Sequence, residues 1–386
     1  MKKMKGQSVR LAALTILLSA LTLASAAARS SKKRASKHAP QPAQVTMSVF
    51  ATGLNNPRGL KFGPDGFLYV AEGGIGGSNS TIGQCVQVVP PVGPYTGSDT
   101  NARVSRIVNG IPVPVGDPLP SSQTAPPPSF VSGVGDIAFI GDTLYALLAG
   151  AGCSHGVPTV PNEVIRLNDD GSWTQIADLS AFLAANPVQN PDPDDFEPDG
   201  TWYSMIEVRG DLYAVEPNHQ EIDRISPTTG EVSRVVDVSA SYPPPTNKNR
   251  AWVGPTALAY HGNFFFGNLG PFPIEPGTQQ VRKLTPSGQF KTWATGLTTV
   301  LGLAFDDRDR LYVLESMTNP GLPDPSQAGS GKIVRIDPSG AQTVVASGLS
   351  FPTAMTIGPD GALYVSNIGL GAPPLGLGQV LRITVP

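Results

Sequence analysis

Five polar side chains stand at one equivalent position of a line that the sequence writes six times. The line first reads "FLYVAEGG". Three residues past its aromatic position come, copy by copy, Glu72, Leu148, Glu216, Asn268, Glu315 and Asn367. Three carboxylates and two amides form an oxygen-only donor set. If the copies converge, that set suits Ca2+ or Mg2+, and such a cation would polarise a substrate oxygen. The same residues serve equally as acceptors for the backbone amides of a neighbouring turn.

Other residues offer weaker chemistry. His155, in "AGCSHG", and His219, in "EPNHQE", are candidate general acids, whereas His261 lies in the tight turn "YHGN". Asp136 interrupts a series of small residues (Gly59, Ala257, Gly302, Ala354). A buried carboxylate there needs a partner, for which Arg58 is the candidate. Trp202 and Tyr203 offer a stacking surface for a ring-containing ligand, or else pack in the core. The acidic stretch "NPDPDDFEPDG" (190–200) reads as a solvated loop or a loose Ca2+ site. No HExxH, CxxC or GxSxG motif occurs, so zinc sites and serine-hydrolase elbows have no sequence support.

What must position these residues is the repeat itself. Each copy of the line ("GPDGFLYVAE", "GDTLYALL", "GDLYAVE", "GNFFFGN", "RDRLYVLE", "GPDGALYVSN") follows a short apolar strand, and a third strand comes after it, as in "RVSRIVNG" or "KIVRIDPSG". A fourth strand follows five times. Six such units cannot cover their own apolar faces and must stack, which predicts an all-β, six-bladed β-propeller over 46–386. The sixth unit stops after its third strand, while an orphan strand, "TMSVFATGL" (46–54), precedes the first. That orphan is expected to complete the last blade. Turns between first and second strands are tight and rich in Gly and Asp. The long insertions, at about 73–102, 116–132, 149–162, 182–200, 239–253, 267–279, 316–331 and 368–378, fall on the opposite face. Any binding site belongs there.

The first 26 residues read as a signal peptide: a basic start, the apolar run "LAALTILLSALTLA", and Ala24-Ser25-Ala26. Residues 27–45 read as a disordered, basic, Pro/Ala-rich leader. The expected product is exported, periplasmic or extracellular, with no membrane span. Nine of the 27 Lys and Arg lie within 1–37 and none of the 30 acids. The remainder carries 18 basic against 30 acidic groups, formally −12, which argues against nucleic acid as a partner. Cys85 and Cys153, the two cysteines, sit in neighbouring long loops and are expected to form a disulfide.

The phrases "NNPRGLKFGPDGFLYVAEGG", "GVGDIAFIGDTLYALLAGAGCSHG" and "GPTALAYHGNFFFGNLGPFP" resemble the ScyD/ScyE family, whose repeats are NHL-like and virginiamycin-lyase-like. The resemblance implies an exported six-bladed propeller. Its namesakes belong to a pathway for an indole-phenol pigment, the ScyE type being associated with a divalent-metal-dependent cyclisation or coupling. Gluconolactonase-like propellers hold their metal at inner-strand starts, which here are Arg58, Gly135, Ser204, Thr256, Leu301 and Thr353 and cannot form that site. The reading is therefore a propeller that binds a small aromatic or cyclic molecule on its long-loop face, with or without metal-assisted catalysis. The alternative is a non-catalytic scaffold for a protein or envelope glycan. No nucleotide cofactor is expected, and the sequence specifies no oligomeric state.

Overall fold

A computed structural model describes residues 45–90, 92–124, 130–191, 193, 196–241, 254–285, 287–370 and 376–385. The expected signal segment and the leader up to position 44 lie outside them, as do Asp192, Asp194 and Asp195 of the acidic stretch. Strand β1 (Thr46–Leu54) opens the described chain. The first sheet holds β2 (Pro57–Phe62), β3 (Leu68–Glu72), β4 (Thr96–Val108), β5 (Ile111–Gln123) and the two-residue β6 (Val131–Ser132). The second holds β7 (Val134–Ile140), β8 (Thr143–Leu148), β9 (Glu163–Leu167) and β10 (Trp173–Asp178), and the third β11 (Ser204–Val208), β12 (Asp211–Glu216), β13 (Glu221–Ile225) and β14 (Val232–Asp237). The fourth is β15 (Pro255–Tyr260), β16 (Phe264–Asn268), β17 (Gln279–Leu284) and β18 (Phe290–Leu297). The fifth is β19 (Val300–Phe305), β20 (Leu311–Glu315), β21 (Gly331–Ile336) and β22 (Gln342–Leu349). The sixth joins β23 (Ala354–Ile357), β24 (Leu363–Asn367) and β25 (Gly378–Thr384) to β1.

Inner strands meet in a circle: β2 touches β7, then β7 β11, β11 β15, β15 β19, β19 β23, and β23 returns to β2. The chain is a six-bladed β-propeller. β1 pairs antiparallel with β25 from Thr46 opposite Thr384 to Leu54 opposite Gly378, so the amino-terminal strand closes the last blade as expected. Apolar burial is divided into six clusters, one between each pair of neighbouring blades. Every second strand is sandwiched between two of these wedges, which is why it reads as an uninterrupted apolar line.

The repeated line also carries polar chemistry on the tight-turn face. In the first blade Asp65 accepts the Phe67 amide and, 2.9 Å away, the Tyr69 hydroxyl, and Arg106 reaches across from β4 at 3.1 Å. Asp360, Tyr364 and Arg382 repeat the set in the sixth blade, and Arg224 pairs with Asp211 in the third. The aspartate caps the turn, the tyrosine spans the blade and the arginine ties in the third strand, so the "DG-LYV…R" spelling recurs for a local reason.

Two segments differ from the sequence reading. Residues 96–102 and 116–123, assigned to loops, are strand: β4 and β5 pair from Val108 opposite Ile111 out to Thr96 opposite Gln123, beyond the blade and over the long-loop face. The half of β5 over 111–115 reads as a strand despite Pro112 and Pro114; Pro118 and Pro120 hide the rest, yet an outer strand tolerates residues lacking a donor. In the stretch read as the loop 182–200, a short helix α1 (Leu179–Ala185) begins earlier, capped by the Asp178 carboxylate accepting the Ala181 amide.

Deleting residues 1–56 removes β1 with its buried Ala51 and Leu54 and bares the β25 edge. The expected cost is at least about 4 kcal/mol, read as a lowered and broadened thermal melt. A truncated chain that melts like the parent would contradict closure by β1.

Candidate functional site

The strand-end row is built into the blades. Glu72 is fully buried and accepts the Asn55 amide at 2.6 Å, Arg103 Nε at 2.6 Å and the Ser105 hydroxyl. Glu216 accepts the Thr201 amide at 2.8 Å as well as the His219 amide and Nδ1. Asn367 accepts the Ser350 amide at 2.9 Å. Burial pushes the Glu315 carboxyl above its ordinary range, against Lys332 3.1 Å away and the Thr298 amide. Asn268 pairs with Gln279 and Arg282. In three of the blades, then, this position accepts an amide from the connection entering its own first strand. Among the described residues no three His, Cys, Asp or Glu side chains are placed to hold a metal. Glu72, Glu216 and Glu315 do not converge, and this donor set does not fit the Ca2+ or Mg2+ site expected of it.

At the axis, Asp136 is held by the Ile137 and Met205 amides, each at 2.8 Å, and lies 3.8 Å from Lys61. Arg58 is not its partner. It donates to the Val131 carbonyl and lies 5.8 Å from the Tyr203 ring, because the path to Asp136 is already filled by donors from the third blade. Tyr203 crosses the ring to the Thr353 carbonyl of the sixth blade at 3.0 Å. Trp202 is 1% exposed and packs in the wedge between the second and third blades, so it presents no stacking surface.

His155 and His219 do come to the same corner. His155 is completely buried, with Ser122 Oγ 3.0 Å from Nδ1 and Glu197 Oε2 3.5 Å from Nε2, while the Tyr95 hydroxyl donates to Glu197 at 2.6 Å. Cys85 and Cys153 form the expected disulfide beside them and join the loops of the first two blades. A long-loop bridge of this kind contributes about 2–4 kcal/mol. Burial alone would lower the His219 imidazole, but Glu216, with Glu221 and Glu197 beyond it, raises it. Burial pushes Glu221 up to about 7 despite its bond from Arg234. Asp223 is raised well above its ordinary value, by burial first and by the neighbouring Glu221 carboxylate second. With Ser122 and His155 at 0% exposure, this is a closed network binding three blades together, not an open nucleophile.

What is open lies next to it. A cleft of about 290 Å3 runs between the end of β1, the loop after β3 and the projecting β4–β5 hairpin. Ile75, Ala102, Pro114 and Pro118 give it apolar walls; Asn55, Thr100, Asn101 and the Glu72–Arg103 pair supply polar groups. Of the residues singled out in the sequence, Glu72 alone lines it. Arg103 was not singled out, though "RVSR" carries an arginine at each end. Tyr95 and Ser122 had no local signal; Glu197 belongs to the acidic stretch read as a solvated loop or loose Ca2+ site, yet it is buried, and the alternation in "EIDRI" already places Glu221 and Asp223 on one strand face.

No protein-family model and no curated protein matches the chain. Solved structures do. An auxiliary nutrient binding protein from Bacteroides thetaiotaomicron shares 9% identity at TM-score 0.52, covering 88% of this chain and 76% of that one. Virginiamycin B lyase from Staphylococcus aureus (13%, TM-score 0.45, 89% and 100%) and a glucose dehydrogenase (16%, TM-score 0.48, 88% and 100%) are also similar.

Raised carboxyls and a raised imidazole act on stability in one direction. Each binds more protons folded than unfolded, so its contribution is present at low pH and lost as pH rises through the folded value. For Glu221, and for Glu163, which burial also pushes up to about 7, that window runs from about pH 4.5 to 7, and His219 extends it upward. Unfolding free energy should fall by at least about 2 kcal/mol between pH 5 and 8. Urea melts at both values check this, and a flat or rising profile would refute it. The likeness to the auxiliary nutrient binding protein bears on the fold alone.

Proposed function

We propose that this protein is an exported, ScyD/ScyE-like propeller that binds a small cyclic molecule in the cleft above Glu72 and Arg103. The observation carrying the reading is the cleft itself. It is a concave space on the long-loop face, with proline and isoleucine walls to pack against a ring and a fixed ion pair at its floor. Export rests on the disulfide, since such bonds persist in oxidising compartments, and on the amino-terminal signal pattern. No helix among the described residues is long and apolar enough to cross a membrane. The ScyD/ScyE assignment rests on the sequence phrases alone. Ser122, His155 and His219 are buried, away from the cleft lining.

A second reading, docking of a protein or envelope glycan, is favoured by one observation. Ile82, Val86, Phe272, Leu322 and Leu377 are exposed on loops of that same face.

A screen of ring-containing fragments by amide NMR separates the two. Binding in the cleft should shift amides at 74–76 and 100–103, and Thr100→Trp, which fills the cleft without touching the ion pair, should abolish the shifts. Fragments that perturb only the other loops, or that bind Thr100→Trp equally well, would overturn the cleft reading.

A further inference from the structure

We infer that the cleft selects ring-bearing carboxylates, recognised end-on by Arg103; this rests on the cleft reading above. The argument starts from how the ion pair shares out its donors. Arg103 spends its Nε edge on Glu72, with Nε 2.6 Å from Oε1 and Nη2 3.4 Å from Oε2. A guanidinium has a second bidentate edge, formed by Nη1 and the other Nη2 proton. Among the described residues no bond to that edge is found, and the side chain is 31% exposed whereas that of Glu72 is 0% exposed. The charged surface that the cleft offers a ligand is therefore the outer fork of the guanidinium.

Glu72 does not compete for the ligand. Its carboxylate takes donors from Asn55, Arg103 and Ser105, so it is saturated and withdrawn. The remaining polar groups complement an acceptor. Asn55 Oδ1 accepts the Gly376 amide, which turns Nδ2 away as a free donor, and the Thr100 hydroxyl lies on the exposed rim. No other acidic side chain lines the space. A planar oxyanion matches the fork bidentately, whereas an alcohol or amide meets only part of it. The apolar walls of Ile75, Pro114 and Pro118 add a requirement for a ring, so a bare carboxylate should fail. Although the body of the chain is formally acidic, charges more than about 8 Å away are largely screened at physiological salt.

The test titrates the mature chain with benzoate, cyclohexanecarboxylate, benzyl alcohol and acetate, following amide shifts at 100–103. Both ring carboxylates should bind at least about tenfold more tightly than benzyl alcohol or acetate. Arg103→Lys keeps the charge beside Glu72 and preserves the fold but loses the fork, and should erase the preference for benzoate over benzyl alcohol. Benzyl alcohol binding as well as benzoate, or Arg103→Lys retaining the preference, would overturn the carboxylate inference and leave the cleft reading standing. Absence of binding by every probe, or binding that survives Thr100→Trp, would overturn both.

Discussion

A single carboxylate holds the junction on which this ring depends. Where β1 leaves the sixth blade and the chain turns into the first, Glu72 takes the Asn55 amide while gripping Arg103 and Ser105 of β4. The closing strand is thereby fixed to the blade that follows it as well as to the blade it completes. A propeller has no single central core; its apolar surface is buried in wedges that exist only while neighbouring blades stay in place. A bond at the seam therefore sustains contacts far from itself. It also gives the cleft its floor, so closure of the ring and exposure of the guanidinium are one arrangement.

The long-loop face is stiffened by means other than apolar packing. The β4–β5 hairpin supplies Ser122, the loop of the second blade His155, and the connection into the third blade Glu197, with Tyr95 completing the chain. The disulfide fastens the same corner. Such a network is costly where members lack a partner, and burial accordingly raises the Glu221 and Asp223 carboxyls above their ordinary values. The consequence is a rigid wall behind the cleft and a marked preference for mildly acidic conditions.

Much of the architecture was legible because it is enforced locally. The Asp–Tyr–Arg set of the first and sixth blades is spelled within one repeat, and the missing fourth strand of the last unit matched the orphan strand at the start. The site was less legible. Pro118 and Pro120 read as loop, although an outer strand needs donors on one side only. Arg58 was expected to meet Asp136, yet donors from the third blade fill that place. His155 and His219 lie 64 positions apart in sequence and come within reach of one carboxylate, Glu197, through loops whose paths no local pattern dictates. The strand-end glutamates stood out as a row, but Glu72, Glu216 and Asn367 each accept an amide within their own blade rather than converging on a ligand, and Leu148 accepts none.

Hydrogen exchange at the Asn55 amide measures the seam most directly. In the parent chain it should exchange only with global unfolding, and in Glu72→Ala it should exchange quickly together with amides of the end of β1, while the second to fifth blades stay protected. An Asn55 amide that exchanges rapidly in the parent, or that is indifferent to loss of Glu72, would contradict the account.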